Sequence, residues 1–213
     1  RSTLFPYTTL FRSGSALAYH YAEKVRIAAA AAATVNDGET VMIEAGSCCA
    51  ILAEQISIQC TGITIVTNSA FIAQRLGAHP MVSTVLLGGE QQHDSRVLVG
   101  PMVELCARQF IVDRLFIGTD GFTPSLGFTA RDYMRATAVR ALASRAERVV
   151  VLTESEKLGS HGPVPLLDAH DVAALWTDSA APDAQVDALT GAGVEVVTVA
   201  ADGTAVEIGR AHV

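Results

Sequence analysis

The chain has 213 residues, with 15 Lys and Arg against 22 Asp and Glu and a formal net charge of −7. That balance excludes a surface built to track a nucleic-acid backbone, and no run reaches membrane-spanning length without a glycine, polar or charged interruption. The four cysteines, Cys48, Cys49, Cys60 and Cys106, lack metal-ligand spacing, and an adjacent pair is a poor start for a disulfide, so reduced thiols in a cytoplasmic protein without metal or cofactor are expected.

Both ends are set aside. Residues 1 to 13 have no helical or strand period, and Thr3 to Ser13 is the translation, in one frame, of the end of a common short-read sequencing adapter. Glu207 to Val213 is likewise the translation of the start of the partner adapter. Residues 1–13 and 207–213 are therefore expected to be assembly residue, leaving 14–206 as a single native domain, with the gene expected to continue upstream of Gly14. Without Arg1, Arg12, Arg210 and Glu207 the count becomes 12 basic and 21 acidic residues, a charge of about −9.

Taken in order, Tyr19 to Val35 has an Ala-rich helical composition that Asn36-Asp37-Gly38 stops. Thr40 to Ala45 is apolar and β-branched enough for a buried parallel strand, and helical spacing begins at Cys48. Gly46 and Ser47 form the turn between them. Either this is an ordinary strand-to-helix turn with Ser47 as N-cap, or its free N–H groups and the positive end of the helix dipole hold a phosphate. A second strand, Ile63 to Thr67, leads into a helix capped by Asn68-Ser69 and running to about Leu76. Val82 to Leu87 is a third strand, Gln91 to Ser95 a polar turn, and Pro101 opens a helix through Phe110. Arg114 to Gly118 is the next strand, Ala130 to Ala146 a long helix, and Arg148 to Thr153 a strand entering the polar loop Glu154 to Gly162. Val172 to Thr177, a helix around Ala184 to Leu189, and Val194 to Val199 complete the alternation. Strands alternating with helices predict an α/β fold with a mostly parallel sheet and helices on both faces. No GxGxxG follows the first strand, which disfavours a dinucleotide.

All carboxyl ends of a parallel sheet share one edge, outside which ligands bind. Four ends carry small or polar groups: Gly46-Ser47-Cys48, Thr67-Asn68-Ser69, Gly118-Thr119-Asp120-Gly121 and Thr153 to Lys157. Lys24 and Lys157 are the only lysines of an arginine-rich chain, which makes Lys157, at a strand end, a candidate anchor for a phosphate or carboxylate.

Ile43-Glu-Ala-Gly-Ser47, Ile65-Val-Thr-Asn-Ser69, Leu86-Leu-Gly-Gly89, Ser95 with Val99-Gly-Pro101, Phe116 to Gly121, Gly127-Phe-Thr129 and Val149 to Lys157 together resemble the effector domain of DeoR-type transcriptional repressors. The resemblance covers about Glu23 to Val199. It implies a fold related to ribose-5-phosphate isomerase and CoA transferases, a phosphorylated sugar as effector, a homo-oligomer, and a winged helix-turn-helix upstream through which alone DNA is bound. It also implies effector contacts at Gly46, Ser47, Asn68, Gly118, Asp120 and Lys157, to which the turn adds Cys48. Arg131, Asp132 and Arg135, heading the long helix, are candidate ligand selectors. Two departures stand out. Cys48-Cys49 replaces a pair of hydroxyl donors by thiols, which donate more weakly, and Glu156 places an acid next to the proposed phosphate. The rival function is a sugar-phosphate isomerase with Asp120 or Glu154 as base and Lys157 as electrostatic stabiliser; a third reading is an oligomerisation scaffold with a dead pocket.

Overall fold

The computed structural model describes residues 18–208; residues 1–17 and 209–213, which include one expected adapter segment and most of the other, lie outside them. Helix α1 (Tyr21–Ala32) is followed by β1 (Thr40–Ile43), α2 (Ser47–Gln59), β2 (Thr64–Thr67), α3 (Ala70–Leu76) and β3 (Ser83–Leu86). A small hairpin, β4 (Glu90–Gln91) and β5 (Leu98–Val99), leads to α4 (Pro101–Ala107) and β6 (Val112–Ile117). Next come β7 (Gly121–Thr123), β8 (Gly127–Ala130), α5 (Tyr133–Ala143), β9 (Ala146–Leu152) and β10 (Val164–Leu167). The chain continues through β11 (Ala174–Asp178), α6 (Asp183–Gly191), β12 (Glu195–Val199) and β13 (Ala205–Ile208).

The main sheet of the described residues runs β13-β12-β11-β9-β6-β1-β2-β3. Every pairing in it is parallel except β12 with β13. Its central strands are apolar on both faces because both faces are covered. Val41 and Ile43 of β1 and Phe116 of β6 join the core made with α1, α2 and α3, whereas Met42, Leu115 and Ile117 enter the core made with α4, α5 and α6. From β1 the chain winds outward to β2 and β3; from β6 it winds the opposite way to β9, β11 and β12. The reversal between β1 and β6 is a topological switch point, where adjacent connections leave in opposite directions and open a crevice at the carboxyl ends.

The small antiparallel sheet β10-β8-β7 departs from the expected pattern. The helix predicted from Ala130 starts at Tyr133, because Ala130 ends β8 and Asp132 caps the helix, its carboxylate accepting from Arg135 N at 2.6 Å. Phe122 and Phe128 stack across the hairpin with ring centroids 4.8 Å apart. The segment after β9 presses onto it closely: a β-carbon at Gly121 would overlap Ser160 O, and one at Gly162 would overlap Ala130 O. The turn expected at Gln91 to Ser95 is the tip of the β4–β5 hairpin. At the far edge, β13 runs through Glu207 and Ile208 with all four side chains exposed, as a backbone ladder at an open edge accepts any extended segment.

Candidate functional site

The switch point is where glycines meet. Gly46 ends the β1 turn and Gly118 ends β6, and a β-carbon added at Gly46 would stand 3.3 Å from Gly118 Cα and 3.2 Å from Cys49 Sγ. Gly46 is itself the N-cap of α2, with no side-chain cap, so Ser47 is the first helical residue rather than the cap. The N-terminal donors and the positive dipole end of a 13-residue helix thus face the crevice unused by any capping side chain.

A cavity of about 710 Å³ opens there. Of the expected contacts, Gly46, Ser47, Cys48, Gly118, Asp120 and Lys157 line it, as do Arg131, Asp132 and Arg135. Asn68 does not. It is fully buried, its side-chain amide nitrogen donates to Leu98 O at 3.2 Å and its backbone carbonyl accepts from Leu98 N at 2.7 Å, so it fastens the β4–β5 hairpin to β2. That hairpin supplies the wall the sequence did not reveal, with Gln92, His93, Asp94 and Ser95 facing the cavity. Gln92 Nε2 donates to Asp132 Oδ1 at 3.1 Å and Ser95 Oγ to Gln92 Oε1 at 3.0 Å, which ties the hairpin to the start of α5.

Beneath the floor lies an ion pair that sequence reasoning missed. Glu44 is fully buried and takes both arms of Arg135, Nε to Oε1 at 2.6 Å and Nη2 to Oε2 at 2.9 Å. The Glu44 carboxylate raises the Arg135 pKa further above its ordinary value against the opposing effect of burial, so the guanidinium is permanently charged. Asp120 is held in place by Arg131 N, which donates to Oδ2 at 2.9 Å. Burial pushes the Cys48 thiol up to about 12 and the Cys49 thiol well above its usual value; both are neutral weak donors, not nucleophiles.

Lys157 sits on a 3₁₀ turn, Ser155–Lys157. The turn is pinned by Asp178, which accepts from Ser155 N at 2.8 Å and from Ser155 Oγ at 2.7 Å. Lys157 Nζ lies 3.0 Å from Glu154 Oε2. The acid at Glu156, expected beside the phosphate, instead faces the start of α1: it accepts from Tyr19 Oη at 3.1 and 3.2 Å and lies 2.6 Å from His20 Nε2. Glu154, one candidate base of the isomerase reading, does not line the cavity. Burial raises its pKa, but Lys157 and Lys24 outweigh that and hold it below its ordinary value. Away from the cavity, Asp168, His170 and Asp171 bring ligand atoms within 4.8 Å of one another on an exposed turn, an arrangement common on solvated surfaces without an ion.

The architecture is that of the ribose-5-phosphate isomerase type of α/β domain. The structure superposes on "Ribose 5-phosphate isomerase from Plasmodium falciparum" with a TM-score of 0.51 at 10% identity, covering 89% of this chain and 98% of that one, a likeness of fold alone. The family model described as the DeoR C terminal sensor domain matches residues 19–179, and the chain belongs to that family. Similar curated proteins are a "Putative aga operon transcriptional repressor" of Escherichia coli O157:H7, 25% identical over 85% of this chain and 67% of that protein, and the "HTH-type transcriptional repressor GlcR" of Bacillus subtilis, 28% identical over 84% and 69%. The "HTH-type transcriptional regulator UlaR" of Shigella dysenteriae is 29% identical over 85% and 71%. No helix among the described residues is long and apolar enough to cross a membrane.

Proposed function

We propose that this domain binds a phosphorylated sugar in the switch-point cavity and reports its occupancy to a DNA-reading segment elsewhere in the full-length regulator. The observation that carries this reading is the coincidence, on one cavity, of the uncapped start of α2 at Gly46, the bare backbone of Gly118 and the ammonium of Lys157. Unused N–H donors at a helix start with a nearby cation are an anion site, and Asp120, Asp132 and Gln92 around the rest of the cavity offer partners for hydroxyl groups. Occupancy would act by shifting the population of arrangements that present the DNA-reading parts of a homo-oligomer. Of the two candidate bases of the isomerase alternative, Glu154 does not line the cavity and lies between two lysines, whereas Asp120 lines it together with Lys157; turnover of a sugar phosphate that Asp120→Ala abolishes would favour that alternative.

Thermal melting with pentose and hexose phosphates, and with the corresponding free sugars, tests the proposal. At about a hundred times Kd the phosphate ester stabilises by about 2.7 kcal/mol, a rise in Tm of roughly 5 to 10 °C for a domain of this size. Free sugars should give little shift, and Lys157→Ala should abolish the response. Equal shifts with free sugars, or none with any phosphate, would overturn the reading.

A further inference from the structure

The only two lysines of the chain meet at one buried carboxylate. Glu154 is 4% exposed and Lys24, on the first turn of α1, 2% exposed. Lys24 Nζ lies 3.0 Å from Glu154 Oε1 and donates to Tyr19 O at 2.6 Å, while Lys157 Nζ lies 3.0 Å from Glu154 Oε2. One carboxylate therefore answers two ammonium groups, one facing the cavity and the other holding the start of α1. Glu156, on the same short turn, faces Tyr19 and His20, so the turn that carries Lys157 also forms the seat of the chain's approach to α1.

We propose that Lys24 and Glu154 link occupancy of the anion site, through Lys157, to the seating of the first turn of α1. This rests on the anion-binding reading of the cavity. An anion in the cavity draws Lys157 away from Glu154, and a buried carboxylate deprived of a cation is unfavourable unless another compensates it. Lys24 is that compensation. Its grip on Glu154 tightens as Lys157 leaves, and Tyr19 O, which accepts from the same ammonium, is held more firmly with it. The linkage is reciprocal: whatever loosens the first turn of α1 weakens anion binding by the same factor.

The test uses the full chain with ribose 5-phosphate, glucose 6-phosphate, fructose 6-phosphate and inorganic phosphate as probes, measuring affinity by calorimetry and backbone hydrogen exchange over residues 18–26. In the unmodified chain a bound probe should slow exchange around Lys24, whose amide donates to His20 O at 3.1 Å. Lys24→Met, which keeps the side chain's length without its charge, should weaken the probe within the roughly 5- to 150-fold range of ordinary site–site coupling, although Lys24 does not line the cavity; Lys24→Arg should restore binding. Glu154→Gln should still bind the probe yet lose the slowing of exchange. Should Glu154→Gln fail to fold, the pair Lys24→Met and Lys24→Arg decides alone. Binding with unchanged exchange in the unmodified chain, or unchanged affinity in Lys24→Met, overturns the inference while the anion site stands; no binding of any probe by the unmodified chain overturns the anion site and the linkage together.

Discussion

The carboxyl ends of β1 and β2 are neighbours in the sheet, both polar and both leading into helices, yet their donors are disposed in opposite ways. At β2 the donors are consumed by the fold, although the buried Asn68 Oδ1 has no partner. Thr67 Oγ1 donates to Ile43 O at 2.6 Å and accepts from Ser69 N at 3.1 Å, Ser69 Oγ caps α3 by accepting from Ile72 N at 3.2 Å, and Asn68 is fastened to Leu98. At β1 the turn carries no capping side chain, so the donors of α2 stay available. A polar strand end serves a ligand only when its own backbone and side chains leave donors over.

The sharpest way to break this contrast is through the ion pair beneath the β1 floor. Arg135→Ala strands the fully buried Glu44. Loss of a buried pair's partner costs about 3 to 5 kcal/mol, and the lower figure applies because the guanidinium side chain is 23% exposed. A loss of about 3 kcal/mol lowers Tm by roughly 6 to 12 °C, as calorimetry would register; an unchanged Tm would mean that the pair does not hold the floor together.

The second test sets the two strand ends against each other. Asn68→Ala removes a buried donor and should cost about 1 to 3 kcal/mol, with the stabilisation by sugar phosphates preserved. Gly46→Ala puts a β-carbon 3.2 to 3.3 Å from Cys49 Sγ, Glu44 Oε2 and Gly118 Cα; it should cost only about 1 kcal/mol of stability yet remove the ligand response. Denaturant titration with and without sugar phosphate distinguishes them, and an inverted pattern would transfer the site to β2.

The smallest effect is on acid sensitivity. Glu154 lies below its ordinary 4.5 in the folded chain, burial being outweighed by Lys157 and Lys24, and Asp178 below 3.8, burial being outweighed by the Ser155 hydrogen bonds. A carboxyl whose folded pKa is depressed contributes stability above its unfolded pKa and loses it as pH falls through the folded value. Unfolding free energy should therefore be level with respect to these groups at neutral pH and decline below about pH 4.5. Glu154→Gln should flatten that decline while leaving the share due to Asp178; an equally steep acid slope in the variant would contradict the depressed Glu154.

The sheet was legible in the sequence because its central strands are buried on both faces: Val41-Met-Ile43 and Val149 to Leu152 admit little else. The edge carrying Gly46, Gly118 and Lys157 followed from strand direction alone. The β7–β8–β10 sheet was not legible, since Gly121-Phe-Thr123 and Gly127-Phe-Thr129 are too short to show a period and are held by the close approach of Ser160. Asn68 was misjudged because a polar residue after a strand looks the same whether it faces a ligand or Leu98. Glu44 with Arg135, and Lys24 with Glu154, were out of reach for a different reason: each pair joins residues far apart along the chain, and no local pattern marks them.

That separation has a consequence for how the domain comes into being. Glu44 and Gly118, which meet at the cavity floor, are 74 positions apart, and Arg135 reaches back 91 to Glu44. Parallel pairing of such distant segments is slow because loop closure precedes its reward. A chain still emerging from the ribosome has β1, β2 and β3 but half a floor; only when β6 slots in beside β1 and α5 follows does a cavity exist. The cavity floor is thus a late product of synthesis, and Lys157, on the turn after β9, joins its lining later still.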